Sequence, residues 1–237
     1  MIGEAELNDS FRNNDMKAEK QLADFMDRCF YSKLYDLQGN KVKFERKTDR
    51  QSQLNGIDVE IIAGGRRFLI DEKASFYYSN AMIPTFAFEI DSIQKGHMEP
   101  VEGWFLNNSL ATEYYMLIWP NIKCEKKGKQ WVRKDIGNLR SFDFTIVEAM
   151  LVEKHELLIE VEKRGLNREG LITYAKKLRD NMKSSNDTFS EEVADGIKIM
   201  YSGQLAEKPI NAVVRKEVIK KVAKATYLIS EDGYAKI

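Results

Sequence analysis

Cysteine, histidine and proline are all scarce in this chain. Cys29 and Cys124 are the two cysteines, His97 and His155 the two histidines, and there are four prolines in 237 residues. The cysteines form no CxxC pair and no histidine lies near either, so the sequence offers no disulfide framework and no Cys/His zinc motif. A reducing compartment follows. Net charge is missing too: 37 Lys and Arg balance 37 Asp and Glu. No overall attraction to polyanions results, although a local basic groove is enough for phosphate contacts. Long apolar runs are absent, since stretches such as "YYMLIW" are far too short to span a bilayer. The opening "MIGEAELNDSFRNND" is polar and acidic and has no signal-peptide core. No Walker A loop, GxGxxG or GxSxG elbow occurs. The expectation is a soluble cytoplasmic protein with no membrane partner.

What is present is an ordinary globular composition, 43% hydrophobic and 31% charged. Residues 1–14 read as a loose leader, and Asp15 as the cap of a helix through "MKAEKQLADFMDRCFY". Strands are expected at 41–49, at "GIDVEIIA" and "RRFLIDEKAS" about a Gly-Gly turn, at 85–91, and at 112–120, where Pro120 ends the run. Further on, 143–152 leads into a helix that Gly165 stops. Residues 168–181 carry Leu171, Tyr174, Ala175 and Leu178 at helical spacing. "GIKIMYSG" and "INAVVRK" read as short strands, and 216–228 as a final helix. The mixture predicts an α/β or α+β fold with a mixed central sheet flanked by helices, as a single domain over 1–237 with an elaborated C-terminal half.

The hairpin carries unexpected charges. In "FLIDEKA" Leu69, Asp71 and Lys73 share one strand face, and Phe68, Ile70, Glu72 and Ala74 the other. If the strands pair about Gly64-Gly65, Asp58 falls opposite Asp71. Two carboxylates that close repel one another, and burying them is costly unless a divalent cation joins them. Mg²⁺ takes one or two carboxylates and keeps several waters, which is phosphodiester chemistry. The competing reading is a solvated strand edge with a weak Asp-Lys pair. On the first helix, Met16, Glu19, Leu22, Ala23, Met26, Cys29 and Phe30 follow the helical period. This puts Glu19 on or beside the apolar stripe, as a functional acid or as an early-turn acid favoured by the dipole.

This order resembles the PD-(D/E)XK nucleases of the restriction-endonuclease-like fold: a helix with an inward Glu, a strand, a strand with Asp, then a strand with (D/E)-x-K. The likeness covers about residues 15–120, leaving 121–237 as the elaboration. It implies a metal-dependent nuclease acting on DNA, with Mg²⁺ or Mn²⁺ held by Asp58, Asp71 and the Glu72 carbonyl. Lys73 would be the catalytic lysine and Glu19 the acid for a second metal or its water shell. The first motif reads Ile57-Asp58 where the family often has Pro-Asp. The residues themselves do not separate DNA from RNA. A second reading keeps the fold but makes the protein a DNA-binding or assembly module.

Substrate contacts are expected from Glu89 and Gln94 after the fourth strand, and from Lys216 and Lys220 on the final helix, whose lysines otherwise form a plain solvated face. Lys41, Lys43, Arg46, Lys47 and Arg50 would flank a groove or form an ordinary charged surface. His97 reads as a loop residue, and Trp104, Trp119 and Trp131 as packing residues. Double-strand cleavage would favour a homodimer.

Overall fold

The computed structural model describes residues 4–94, 96–97, 99–182 and 186–237, with side chains from residue 13 onward. The first helix, α1 (Glu4–Cys29), begins well before the expected cap, so Asp15 lies inside it and most of the supposed leader is helical. The stretch contains no Gly or Pro, and "EAEL" is rich in helix formers, so nothing halts the helix there. Its buried stripe is Ala18, Leu22, Phe25, Met26 and Cys29, whereas Met16 is 59% exposed and does not belong to it.

The chain continues through β1 (Lys43–Arg46), the one-turn α2 (Arg50–Leu54), β2 (Val59–Ala63), β3 (Arg66–Ala74), β4 (Thr85–Ser92) and β5 (Val101–Glu102). Next come β6 (Tyr114–Ile122), β7 (Cys124–Lys127), β8 (Gln130–Arg133), β9 (Phe144–Glu153), α3 (Lys154–Glu162) and α4 (Arg168–Met182). The last elements are β10 (Thr188–Ala194), β11 (Ile197–Ser202), β12 (Ile210–Arg215), α5 (Lys216–Lys220), β13 (Ala223–Ser230) and β14 (Gly233–Lys236). β6 passes through Pro120 instead of ending there, as a strand can where the missing N–H is not needed by its neighbour. α3 does end near Gly165, whose φ of +85° suits a helix stop.

The fold is α+β, with two compact units. One takes the chain up to Ile83, Thr112–Leu151 and Lys224–Ile237; the other takes Pro84–Ala111 and Val152–Ala223. The sheet of the first unit therefore draws strands from both sides of the expected division near residue 120. It is a curled, mixed seven-stranded sheet in the order β1-β2-β3-β6-β9-β13-β14. β1, β2 and β3 form an antiparallel meander, and β6 lies parallel to β3. The α1 stripe joins Val59, Ile70, Met116, Ile118, Val147, Ala149 and Ile229 in one core. Each large side chain buried there contributes about 1.5–3 kcal/mol.

The second unit is built on an antiparallel five-stranded sheet, β10-β11-β12-β4-β5. α4 buries Leu171, Ala175 and Leu178, as its spacing predicts, while Tyr174 is half-buried. Gly103 is held against β4: a Cβ there would stand 2.4 Å from the Glu89 carbonyl oxygen. Gly103→Ala is expected to lower the unfolding free energy by about 1–3 kcal/mol through overpacking. Denaturant melts equal to wild type would show that the strand gives way.

The expected helix over 216–228 shrinks to α5, and "AKATYLIS" is strand β13. Ala225 and Ile229 are buried on one face of it, and pairing within the sheet outweighs local helix propensity. Lys224, inside the expected helix, therefore stands in a strand. Trp119 is 6% exposed and packs as expected, but Trp131 is 71% exposed and does not. No helix among the described residues is long and apolar enough to cross a membrane.

Candidate active site

The β2–β3 hairpin turns on Gly64 and Gly65, with φ of +56° and +75°. Two positive values in a row are the geometry that a two-residue turn between twisted strands favours. The ladder pairs Val59 with Ile70 and Ala63 with Arg66. The expected Asp58–Asp71 pair is not part of this ladder: Asp58 lies one residue beyond its last pair, with its carboxylate near enough to act on that of Asp71. The Asp58 N–H donates to the Ile70 carbonyl at 2.9 Å, and its own carbonyl accepts from Lys47 N–H at 2.8 Å. Its Oδ2 accepts from the Glu72 N–H at 2.8 Å. Upstream, the Thr112 hydroxyl donates to the Gly56 carbonyl at 2.6 Å and latches the loop that delivers Asp58.

Asp71 is only 2% exposed. Its β6 neighbour in the register is Tyr115, which is fully buried. Asp71 Oδ1 accepts from the Lys73 ammonium at 2.6 Å. Its other oxygen, Oδ2, is buried with no hydrogen-bond partner. A buried carboxylate oxygen in that condition is costly. Burial pushes the Asp71 carboxyl up, Lys73 pulls it down, Asp58 pushes it up again, and the balance is about 7. Burial and the Asp71 charge also raise the Tyr115 hydroxyl. For Lys73, burial works against the charge, but Asp71, Asp58 and, last, Glu19 outweigh it and hold the ammonium above the ordinary lysine range.

Glu72 faces the other way. Its side chain accepts from the Tyr31 hydroxyl at 2.8 Å and from the Arg46 guanidinium, which also binds Asp27 at 2.6 Å. Burial raises the Glu72 carboxyl in spite of Arg46. The side chain is thus committed to the opposite sheet face. The Glu72 carbonyl is a different matter. In a strand the N–H and C=O of one residue point the same way, and the Glu72 N–H reaches Asp58. The carbonyl therefore faces the edge at which β2 has ended and Asp58 begins.

Asp58, Asp71 and Lys73 come together. Glu19 is exposed beside the α1 stripe rather than in it, and acts on Lys73 through its charge. Among the described residues no three His, Cys, Asp or Glu form a metal-binding group, so Glu19 does not complete a third carboxylate ligand. Glu89, Gln94, Lys216 and Lys220 all belong to the second unit. There Glu89 accepts from the Ser92 hydroxyl at 3.2 Å, Gln94 accepts from the His97 N–H at 2.9 Å, and Lys216 donates its N–H to the Pro84 carbonyl at 2.7 Å. None of the four shares a unit with the paired carboxylates.

Nor is Arg46 a groove cation: it is half-buried and held in its ion pairs, and Lys47 meets Glu45 at 2.8 Å and Glu60 at 3.3 Å. Alternation from the core residue Phe44 puts Arg46 on the inner face, a signal present in "KFER". Tyr31 and Tyr115, which frame the site from the two sheet faces, carry no comparable sequence signal. No protein-family model matches this chain, and no curated protein or solved structure matches it either.

Proposed function

We propose that this protein is a metal-dependent nuclease that hydrolyses DNA phosphodiester bonds, with a restriction-endonuclease-like core in its first unit. The observation that carries the reading is Asp71: a buried carboxylate, one oxygen without a donor, close to a second carboxylate and paired with a lysine two residues on. Helix α1, the β1-β2-β3 meander and a parallel β6 support the fold assignment.

The donor set suits Mg²⁺ or Mn²⁺. Asp71 Oδ2, the Asp58 carboxylate and the Glu72 carbonyl would hold it, leaving positions for water, as Mg²⁺ requires. Such an ion supplies a Lewis acid for a phosphate oxygen and a more acidic bound water. Asp58 is aimed by the Glu72 N–H and cannot swing away without losing that bond. Lys73 keeps its proton, so it acts as a donor: it orients the attacking water and offsets the negative charge that develops on the phosphate. Glu19, exposed on α1, would order the outer water shell or a second cation rather than the first.

The alternative, a DNA-binding or assembly module on the same fold, draws on one observation. Lys73 already closes on Asp71 at 2.6 Å, which neutralises the buried charge without any metal. Incubating supercoiled and linear DNA with Mg²⁺, with Mn²⁺ and with EDTA separates the two. Cutting that needs the metal and disappears in Lys73→Ala supports the nuclease. Folded wild-type protein that binds DNA and cuts neither form under any condition supports the module.

A further inference from the structure

The strands β7 and β8 form a separate two-stranded ribbon within the first unit. Lys127 pairs with Gln130 across a two-residue turn, Gly128-Lys129, and Gly128 has a φ of +64°. Glycine at the first central position is what such a tight hairpin needs. The whole chain is electrically neutral, but this ribbon is not. Residues 123–134, "KCEKKGKQWVRK", hold six cations and one acid. Lys126, Lys127 and Lys129 are exposed. Glu125 meets Lys127 at 3.1 Å; Lys126 and Lys129 meet no acid among the described residues. Opposite Lys126 in the ladder stands Trp131, 71% exposed.

Other cations of the segment are occupied at its base. Lys134 binds Asp143 at 2.6 Å, and Lys123 lies 5.5 Å from the centre of the Phe142 ring. Arg133 Nη1 donates to the Tyr77 carbonyl at 2.6 Å. Asn80, at a φ of +66°, clasps Ile122 twice, donating to its carbonyl at 2.9 Å and accepting from its N–H at 2.7 Å. Asparagine tolerates that region, since its short polar side chain can bond nearby backbone. The root of the ribbon is thereby fixed to the loop that follows Lys73. Tyr77 in that loop donates to Asp15, one helical turn before Glu19 on α1. The tip carries the unpaired positive charge and the base is held by these contacts.

We propose that the β7–β8 ribbon is a nucleic-acid arm that enters a groove of duplex DNA, its lysines on the phosphates and Trp131 against the sugar or base edges. This rests on the nuclease reading for the identity of the polyanion. The dimensions agree: four-residue strands are roughly 13 Å long, and the major groove, about 12 Å wide and 8.5 Å deep, admits a two-stranded ribbon. Phosphate contacts hold the register, and an exposed aromatic adds stacking or wedging without sequence readout. An anionic bilayer would also attract the lysines, but a twisted ribbon with a single exposed large apolar side chain offers no apolar face to insert.

The test is a fluorescence-anisotropy titration of a labelled 24-base-pair duplex in EDTA, so that binding is read without cleavage. Lys126→Glu/Lys127→Glu/Lys129→Glu is expected to raise Kd about thirtyfold or more and to lower the slope of log K against log salt by about 2–3. Trp131→Ala is expected to raise Kd about tenfold with the salt slope unchanged. Thermal melts like wild type would confirm that the variants are folded, as expected for a ribbon whose tip supports no core. Equal affinities for wild type and the folded variants would overturn the arm while leaving the nuclease reading intact. Wild-type protein that neither binds nor cuts DNA would remove the nuclease reading itself, and the arm with it. Titration against phosphatidylserine vesicles is the control: equal loss of vesicle and DNA binding would reduce the ribbon to a general polyanion surface and also overturn the assignment.

Discussion

On the proposed nuclease reading, Asp71→Asn is expected to reduce metal-dependent DNA cleavage by about 10³-fold or more, because it would remove a ligand charge at the reacting phosphate. The same substitution is expected to alter stability with a sign opposite to that of most buried-charge deletions. Asp71 titrates at about 7 in the folded chain, against 3.8 for the free group. Between those values the native state holds a proton that the unfolded chain has lost, so stability falls as pH rises. The contribution is complete below about pH 4 and gone above about pH 7. From pH 5 to pH 8 the metal-free wild type should lose about 2–3 kcal/mol that the asparagine variant does not. Comparing the change between two pH values sets aside the constant cost of leaving Lys73 without its 2.6 Å partner. Urea melts at pH 5 and pH 8 in EDTA give the comparison. Adding Mg²⁺ at pH 8 should restore stability to wild type and leave the variant unchanged, since the ion replaces the missing compensation only where the carboxylate exists. Parallel pH profiles for the two proteins would mean that Asp71 is ionised without strain, and the case for a cation there would lose its main support.

The hairpin was legible because every signal in it is local. Gly64-Gly65 sets the turn, the turn sets the register from Ala63–Arg66 to Val59–Ile70, and Asp58 follows where that ladder ends, with its carboxylate near Asp71. Alternation then separates Asp71 and Lys73 from Glu72, which the structure turns toward Tyr31 and Arg46. What local pattern cannot carry is the return of distant chain. The sheet that holds the hairpin is completed by β9, β13 and β14, while β4, between Lys73 and β6 in sequence, pairs with β12 in the other unit. For that reason Glu89 and Gln94, near Lys73 in sequence, do not share its unit. β13 was misread for a related reason: "KEVIKKVAKATYL" has helix formers throughout, and only sheet pairing makes its second half a strand. The ribbon was obscured by averaging, since a neutral total conceals six cations in twelve residues. Glu19 shows the limit of periodicity: a residue next to a stripe in sequence can be exposed, as this one is.

Arg46→Met is expected to destabilise the protein by about 3–5 kcal/mol. Arg46 is the one guanidinium between Glu72 and Asp27, with side-chain exposures of 17%, 10% and 29% for Arg46, Glu72 and Asp27. Removing it leaves the Glu72 carboxylate with the Tyr31 hydroxyl, at 2.8 Å, as its remaining side-chain donor among the described residues. For a chain of this length the melting temperature should fall by about 10 °C. The second substitution separates a stranded charge from a lost contact. Adding Glu72→Leu to Arg46→Met removes both buried charges and should recover most of the loss, because an apolar pair of similar volume is often as stable as a buried ion pair. Cleavage gives a further contrast. Glu72 points to the sheet face opposite Asp71 and Lys73, while its backbone N–H and carbonyl serve the Asp58 side. On the proposed nuclease reading, the double variant below its melting temperature should therefore still cut DNA within about tenfold of wild type, because the strand backbone keeps both carboxylates in place. A folded, stable double variant that lost cleavage as completely as Asp71→Asn would instead make the Arg46–Glu72 pair a positioning element for the site, acting through the strand on which Asp71 and Lys73 stand.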